Sequence, residues 1–137
     1  LPKDGGRALK AFLAEVSAFV EDHRNDAEMS AFVTPVELAI GDLRTATQWF
    51  MQNAIGQLEN AGAGATDYLQ LFGLVALGYM WCLIVDAART GNSDERMNER
   101  RVVGRFFMER MLPATATHLA GVKAGAESTM ALPIEAF

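Results

Sequence analysis

Apolar residues recur along this chain at intervals of three and four, the period of a helix with one buried face. The first such run begins at Arg7. Leu9, Phe12, Leu13, Val16, Phe19 and Val20 fall on one stripe, Glu15, Glu21 and Asp22 lie off it, and the run fades near Arg24-Asn25-Asp26. A second helix is predicted from Pro35 with Thr34 as its cap, because proline lacks the N–H that a first turn leaves unpaired. Met29 and Phe32 read as a short helical lead-in. Val36, Ile40, Leu43, Thr47, Phe50, Ala54 and Leu58 carry the second stripe, and Asn60-Ala61-Gly62-Ala63-Gly64 is expected to stop it.

The third run, over residues 66–89, is apolar all round. From Leu71 to Val85, fifteen residues include no charged residue and no polar one apart from the Tyr79 hydroxyl. Such a helix is expected at the buried centre of a bundle, with Gly73 and Gly78 admitting close neighbours. The run is shorter than the ~20 residues a spanning helix needs, and Asp67, Asp86 and Arg89 bracket it, so no membrane span is expected. Thr90-Gly91-Asn92-Ser93 reads as a turn with Ser93 as a cap. A last helix is predicted from about Asp94, burying Val102, Val103, Phe106, Phe107, Met111 and Leu112. Pro113 should kink or break it, with Leu119, Val122, Ala126 and Met130 continuing the pattern and Ile134 and Phe137 folding back. No alternating strand pattern occurs. The expected fold is therefore all-α, an up-and-down four-helix bundle over residues 7–137, preceded by a linker at 1–6.

Composition narrows the classes. A chain of 137 residues suits one domain, and 50% hydrophobic with 21% charged residues is globular. The net charge of −5 argues against a nucleic-acid or anionic-lipid partner. Cys82 is alone, so no disulfide closes within the chain, and a reducing cytoplasm is the expected location. The chain opens on Leu1 without a signal-peptide pattern, which is expected of a product processed or cut from a longer protein.

The search for chemistry returns little. Gly62-Ala63-Gly64 lacks the strand and the Gly-Lys-Ser/Thr of a phosphate loop. His23 and His118 have no ligand partner at helical spacing and read as surface residues. Cys82 lies one helical turn before the acidic Asp86, which favours an inert thiol. Arg96, Arg100, Arg101, Arg105 and Arg110 interleave with Glu95, Glu99 and Glu109, the pattern of a salt-bridged face or of a dock for an acidic partner or a phosphate. Neighbouring aromatics such as Trp49-Phe50 and Phe106-Phe107 cannot both face one seam, which points to a second apolar surface. The candidate interface residues are Trp49, Phe50, Trp81, Arg101, Arg105, Phe106 and Phe107. No catalytic, cofactor-binding or metal-binding residue is assigned.

Four segments carry a resemblance. Gly104-Arg105-Phe106-Phe107-Met108-Glu109-Arg110-Met111-Leu112-Pro113 and Ala124-Gly125-Ala126-Glu127-Ser128-Thr129-Met130-Ala131-Leu132 are similar to the end of the long acyl-CoA dehydrogenases that carry an extra C-terminal helical domain, including methylthiopropanoyl-CoA dehydrogenases. Leu1-Pro2-Lys3-Asp4-Gly5-Gly6 resembles the junction with their flavin-binding core, and Leu77-Gly78-Tyr79-Met80-Trp81 resembles their third helix here. The resemblance implies a parent that oxidises an acyl-CoA with FAD. It also implies a catalytic core upstream as partner and a homo-oligomeric assembly. The family's catalytic glutamate and flavin cradle lie before the junction, so no residue of this chain inherits those roles. Two other readings remain open: an independent helical binding module for a lipid or granule surface or a small molecule, and a stand-alone enzyme.

Overall fold

Asp4 starts the first helix. Its carboxylate accepts the backbone N–H of Ala8 (3.0 Å) and of Gly6 (2.9 Å), donors that a helix N-terminus leaves unpaired. The same two bonds hold the Asp4 carboxyl below its ordinary pKa of 3.8. The computed structural model describes residues 4–90 and 94–136, and among these the regular structure is all helical, with no strand. α1 spans Arg7–Asp22, α2 Ser30–Asn53 and α3 Leu58–Arg89. The fourth lane is a bent rod: α4 (Asp94–Phe106), a wide π turn (Phe107–Met111), a tight 3-10 turn (Leu112–Ala114) and α5 (Thr115–Ala124). α3 is the hub, packing on α5 and α2 most extensively and on α4 as well. The all-α, four-helix expectation holds.

The core explains where α2 begins. Met29, Phe32 and Val33 are buried beside Val36, Leu43, Leu71 and Leu112. Seating them requires helical turns before Pro35, so α2 starts at Ser30 and Pro35 lies inside it. Thr34 is consequently no cap, and α2 forgoes the one ladder bond that the Pro35 nitrogen cannot donate.

The end of α2 also differs from expectation. It stops at Asn53, and the chain turns through Ala54–Gln57 with Gly56 at φ 89°, a backbone region that suits glycine. Gly62 and Gly64 lie within α3. Gly64 serves packing instead of termination: a Cβ there would sit 2.9 Å from Phe50 Cζ. Gly78 does admit close neighbours, since a Cβ would meet Val36 at 3.1 Å and Leu112 at 3.3 Å, whereas Gly73 faces open space.

Two further expectations are corrected. α3 is not buried all round. Leu71, Val75, Cys82 and Val85 point inward, while Leu69, Leu77 and Met80 on its other side are exposed. In length and composition α3 could cross a membrane, with a third of its most apolar window buried in its own bundle. On the last rod, Val102, Val103, Phe106 and Met111 are exposed, and the inward positions are Gly104, Phe107, Met108 and Leu112. The π turn shifts register by holding extra residues in one turn. Beyond Ala124, Gly125 turns the chain at φ 67° and the helical pattern ends; Ala126 is buried but Met130 and Ile134 are exposed. Ser93 and Phe137 lie outside the described residues.

Candidate functional site

Most polar side chains that reach inward are used to tie helices together. Arg89 at the end of α3 donates to Asp86 (2.6 Å) and to Asp26 in the α1–α2 connection (2.6 Å). The Arg89 guanidinium lowers the Asp26 carboxyl below its ordinary value, and the Asp86 bond raises Arg89. His23 donates from Nδ1 to the Phe19 carbonyl (2.9 Å), stacks on the Phe19 ring and places Nε2 3.4 Å from Asp86. His118 pairs with Asp67 at 2.8 Å, joining α5 to α3. The Asp67 carboxylate occupies the space that a side chain at Gly121 would need. Both histidines are therefore half-buried struts, not free surface groups.

Three more bonds serve the same purpose. Thr115 donates to Asp42 (2.8 Å), Tyr79 to Glu15 (3.0 Å), and the hydroxyls of Thr47 and Tyr68 meet at 2.8 Å. Burial lifts the Tyr68 and Tyr79 phenols above their ordinary 10.0. Among the described residues, no three His, Cys, Asp or Glu side chains gather as a metal cage. Cys82 is fully buried, and desolvation, aided by the Asp86 charge, pushes its thiol up to about 12. A thiol so poised is not a nucleophile near neutral pH.

The candidate recognition surface is apolar. α1 has 16 residues and α3 has 32, so at ~1.5 Å per residue α1 can cover about half of α3. Where α1 begins, near Tyr68 and Phe72, its lane opens into a groove of about 760 Å³ between the end of α2 and the start of α3. Phe50, Met51, Ile55, Leu58, Leu69 and Phe72 are its main walls, and among the described residues no charged side chain lines it. The Tyr68 hydroxyl, the one side-chain polar group among its described lining residues, is already bonded to Thr47. This groove suits another apolar surface. It does not fit a flavin dinucleotide, whose pyrophosphate needs charged or N–H partners.

The seven candidate interface residues fall in separate places. Phe50 forms the inner wall of the groove, and Trp49 is half-buried over Gly125. Trp81 is half-buried over Gly104, with Arg101 also half-buried on α4. Phe106 is 60% exposed beside Val102 and Val103, whereas its neighbour Phe107 belongs to the core and presents no surface. Arg105 is exposed and bonded to Glu109 (2.8 Å). Sequence reasoning missed Ile55, Leu69 and Phe72, and placed Leu58 on α2. The available signal was the lack of any polar face on α3.

Helical struts around one core, with an apolar trough among the described residues, define a helical domain of the all-α class. The model of the family described as acetyl-CoA dehydrogenase C-terminal like matches residues 12–133, and the chain belongs to that family. A search of curated proteins finds no match to it.

Proposed function

We propose that this chain is the accessory C-terminal bundle of an FAD-dependent acyl-CoA dehydrogenase of the cytoplasm. Its role is to pack on the catalytic core and support the oligomer, leaving the chemistry to that core. The observation that carries this reading is the apolar groove walled by Ile55, Leu58 and Leu69, which the described residues leave open beyond the start of α1. An apolar face of the core would fill it. The flavin and the acyl-CoA thioester belong to the core, since among the described residues the groove offers neither a charged side chain for a pyrophosphate nor a free side-chain polar group for a thioester. The resemblance of residues 104–113 favours the methylthiopropanoyl-CoA dehydrogenase-like group as the parent.

The test compares the intact dehydrogenase with one truncated before Leu1. Loss of oligomer size, flavin content or turnover is expected. Unchanged values for all three would overturn the proposed role.

A further inference from the structure

The outward face of α3 has its own order. Gly62, Thr66, Leu69, Gly73, Leu77, Met80 and Ile84 all lie within about 40° of Gly73 on a helix of 3.6 residues per turn. None of them is buried, and Leu69 and Leu77 are 67% and 52% exposed. Counted outward from Gly73, the steps are four, three and four residues in both directions. At the first matching step Leu69 and Leu77 are alike, and at the outer two the residues are complementary in size, Thr66 with Met80 and Gly62 with Ile84. At the centre, Gly73 has nothing within 4 Å of where a Cβ would stand.

We infer that this face pairs with the same face of a second copy, antiparallel, with Gly73 meeting Gly73 on a two-fold axis. A self-complementary patch is what such an axis requires, and the glycines allow close approach of the two backbones there. Gly62 and Thr66 of one α3 then receive Ile84 and Met80 of the other, and Leu69 packs beside Leu77. Charge agrees with the direction: fourteen residues either side of the centre, Glu59 meets Ala87, whereas a parallel pair would bring Glu59 onto Glu59. The face runs from Leu58 to Ala87, which at about 1.5 Å per residue and one helix diameter in width offers roughly 500 Å² per copy. The pair would bury about 1,000 Å² in total, the lower limit for a specific contact, so it is weak and concentration-dependent. A lipid surface is disfavoured because Arg89 is the one basic residue on α3, and it is bonded to Asp86 and Asp26. The face shares Leu58 and Leu69 with the edge of the groove, but the inference does not depend on the role proposed above, since its test uses the chain without a catalytic core.

Cysteine cross-linking of the 137-residue chain under mild oxidation tests it. Gly73→Cys alone should give a disulfide-linked pair. Leu69→Cys alone should give on the order of ten-fold less, because its two copies would stand about 12 Å apart, beyond the ~7 Å reach of a disulfide. Mixing Leu69→Cys with Leu77→Cys chains should restore linkage. Adding Leu77→Glu to Gly73→Cys should abolish it with helix content unchanged, as Leu77 is exposed in the single chain. The inference is overturned if Gly73→Cys stays monomeric across a concentration series, or if Leu69→Cys links as well as Gly73→Cys. Monomeric chain that co-sediments with phosphatidylcholine–phosphatidylglycerol vesicles would also overturn it.

Discussion

Leu69 and Leu71 stand two residues apart on α3, one 67% exposed and the other fully buried. Replacing each by alanine tests the orientation of the helix. Burying a leucine side chain contributes roughly 1.5–3 kcal/mol by transfer from water. Its removal from a packed site adds the cost of the cavity, so Leu71→Ala should lose about 3–5 kcal/mol. Leu71 belongs to the same cluster as Val75, Phe32 and Leu43, all essentially inaccessible, so the site has little freedom to collapse and the upper half of that range is expected. Leu69→Ala removes atoms that water already touches, and should stay within about 0.5 kcal/mol. Urea unfolding followed by helix circular dichroism, at protein concentrations low enough to keep the chain monomeric, measures both. The midpoint should fall for Leu71→Ala with the slope unchanged. Equal losses would refute the reasoning, because they would mean that α3 is enclosed on both sides as its sequence pattern suggests.

Four further outcomes follow from the packing and the charges. Gly78→Ile should cost roughly 2–3 kcal/mol by overpacking, because even a Cβ at 78 meets Val36 and Leu112 within 3.3 Å. Gly41→Ala, where nothing stands within 4 Å, should instead gain about 0.5–1 kcal/mol of helix propensity in the same unfolding assay. Arg89 depresses the Asp26 carboxyl, so that contribution to stability is complete well above the ordinary 3.8 and is lost as pH falls through the lowered folded value. Acid titration of stability should therefore flatten at that end in Arg89→Met, and an unchanged slope would refute the assignment. Cys82, with its thiol pushed up to about 12, should resist a disulfide reagent at pH ~8 in the native chain and react fully once unfolded.

Much of the fold was legible because burial on one helix face leaves a period in the sequence. The stripe Leu9-Phe12-Leu13-Val16-Phe19-Val20 became the inward face of α1, and the end at Asp22 lay close to the expected one. The misread boundaries share a cause. Pro35 and the Gly62–Gly64 segment are strong local signals, and tertiary packing overrode both: Met29 and Phe32 needed helix before the proline, and Phe50 needed the space above Gly64. The groove was less legible. A helix without a polar face is expected in an interior, and periodicity alone does not say whether that interior is made by one chain or two. Only the short reach of α1 reveals that the wall from Leu58 to Leu69 is left uncovered among the described residues. The struts were invisible for a different reason, since His118 and Asp67 lie 51 positions apart.

The bend in the fourth lane decides which apolar residues become surface. A straight helix from Asp94 to Ala124 would keep one face inward along its whole length, and the pattern Val103, Phe106, Phe107 read that way. The rod instead passes through a π turn at Phe107–Met111 and a 3-10 turn containing Pro113. Proline removes a ladder donor, and the wide turn absorbs the mismatch by changing register. Downstream of the bend, α5 lies against both α2 and α3, with Val122 fully buried and Thr115 bonded to Asp42. Upstream, α4 touches α3 through Gly104, where a Cβ would already meet Phe32 at 3.1 Å and Val85 at 3.3 Å. Two helices this close bury a narrow seam, so Val102, Val103 and Phe106 are turned to the opposite side. The exposed apolar residues of α4 are thus a consequence of how tightly it is held at Gly104. A larger residue at that position would push α4 away from α3 without covering Phe106.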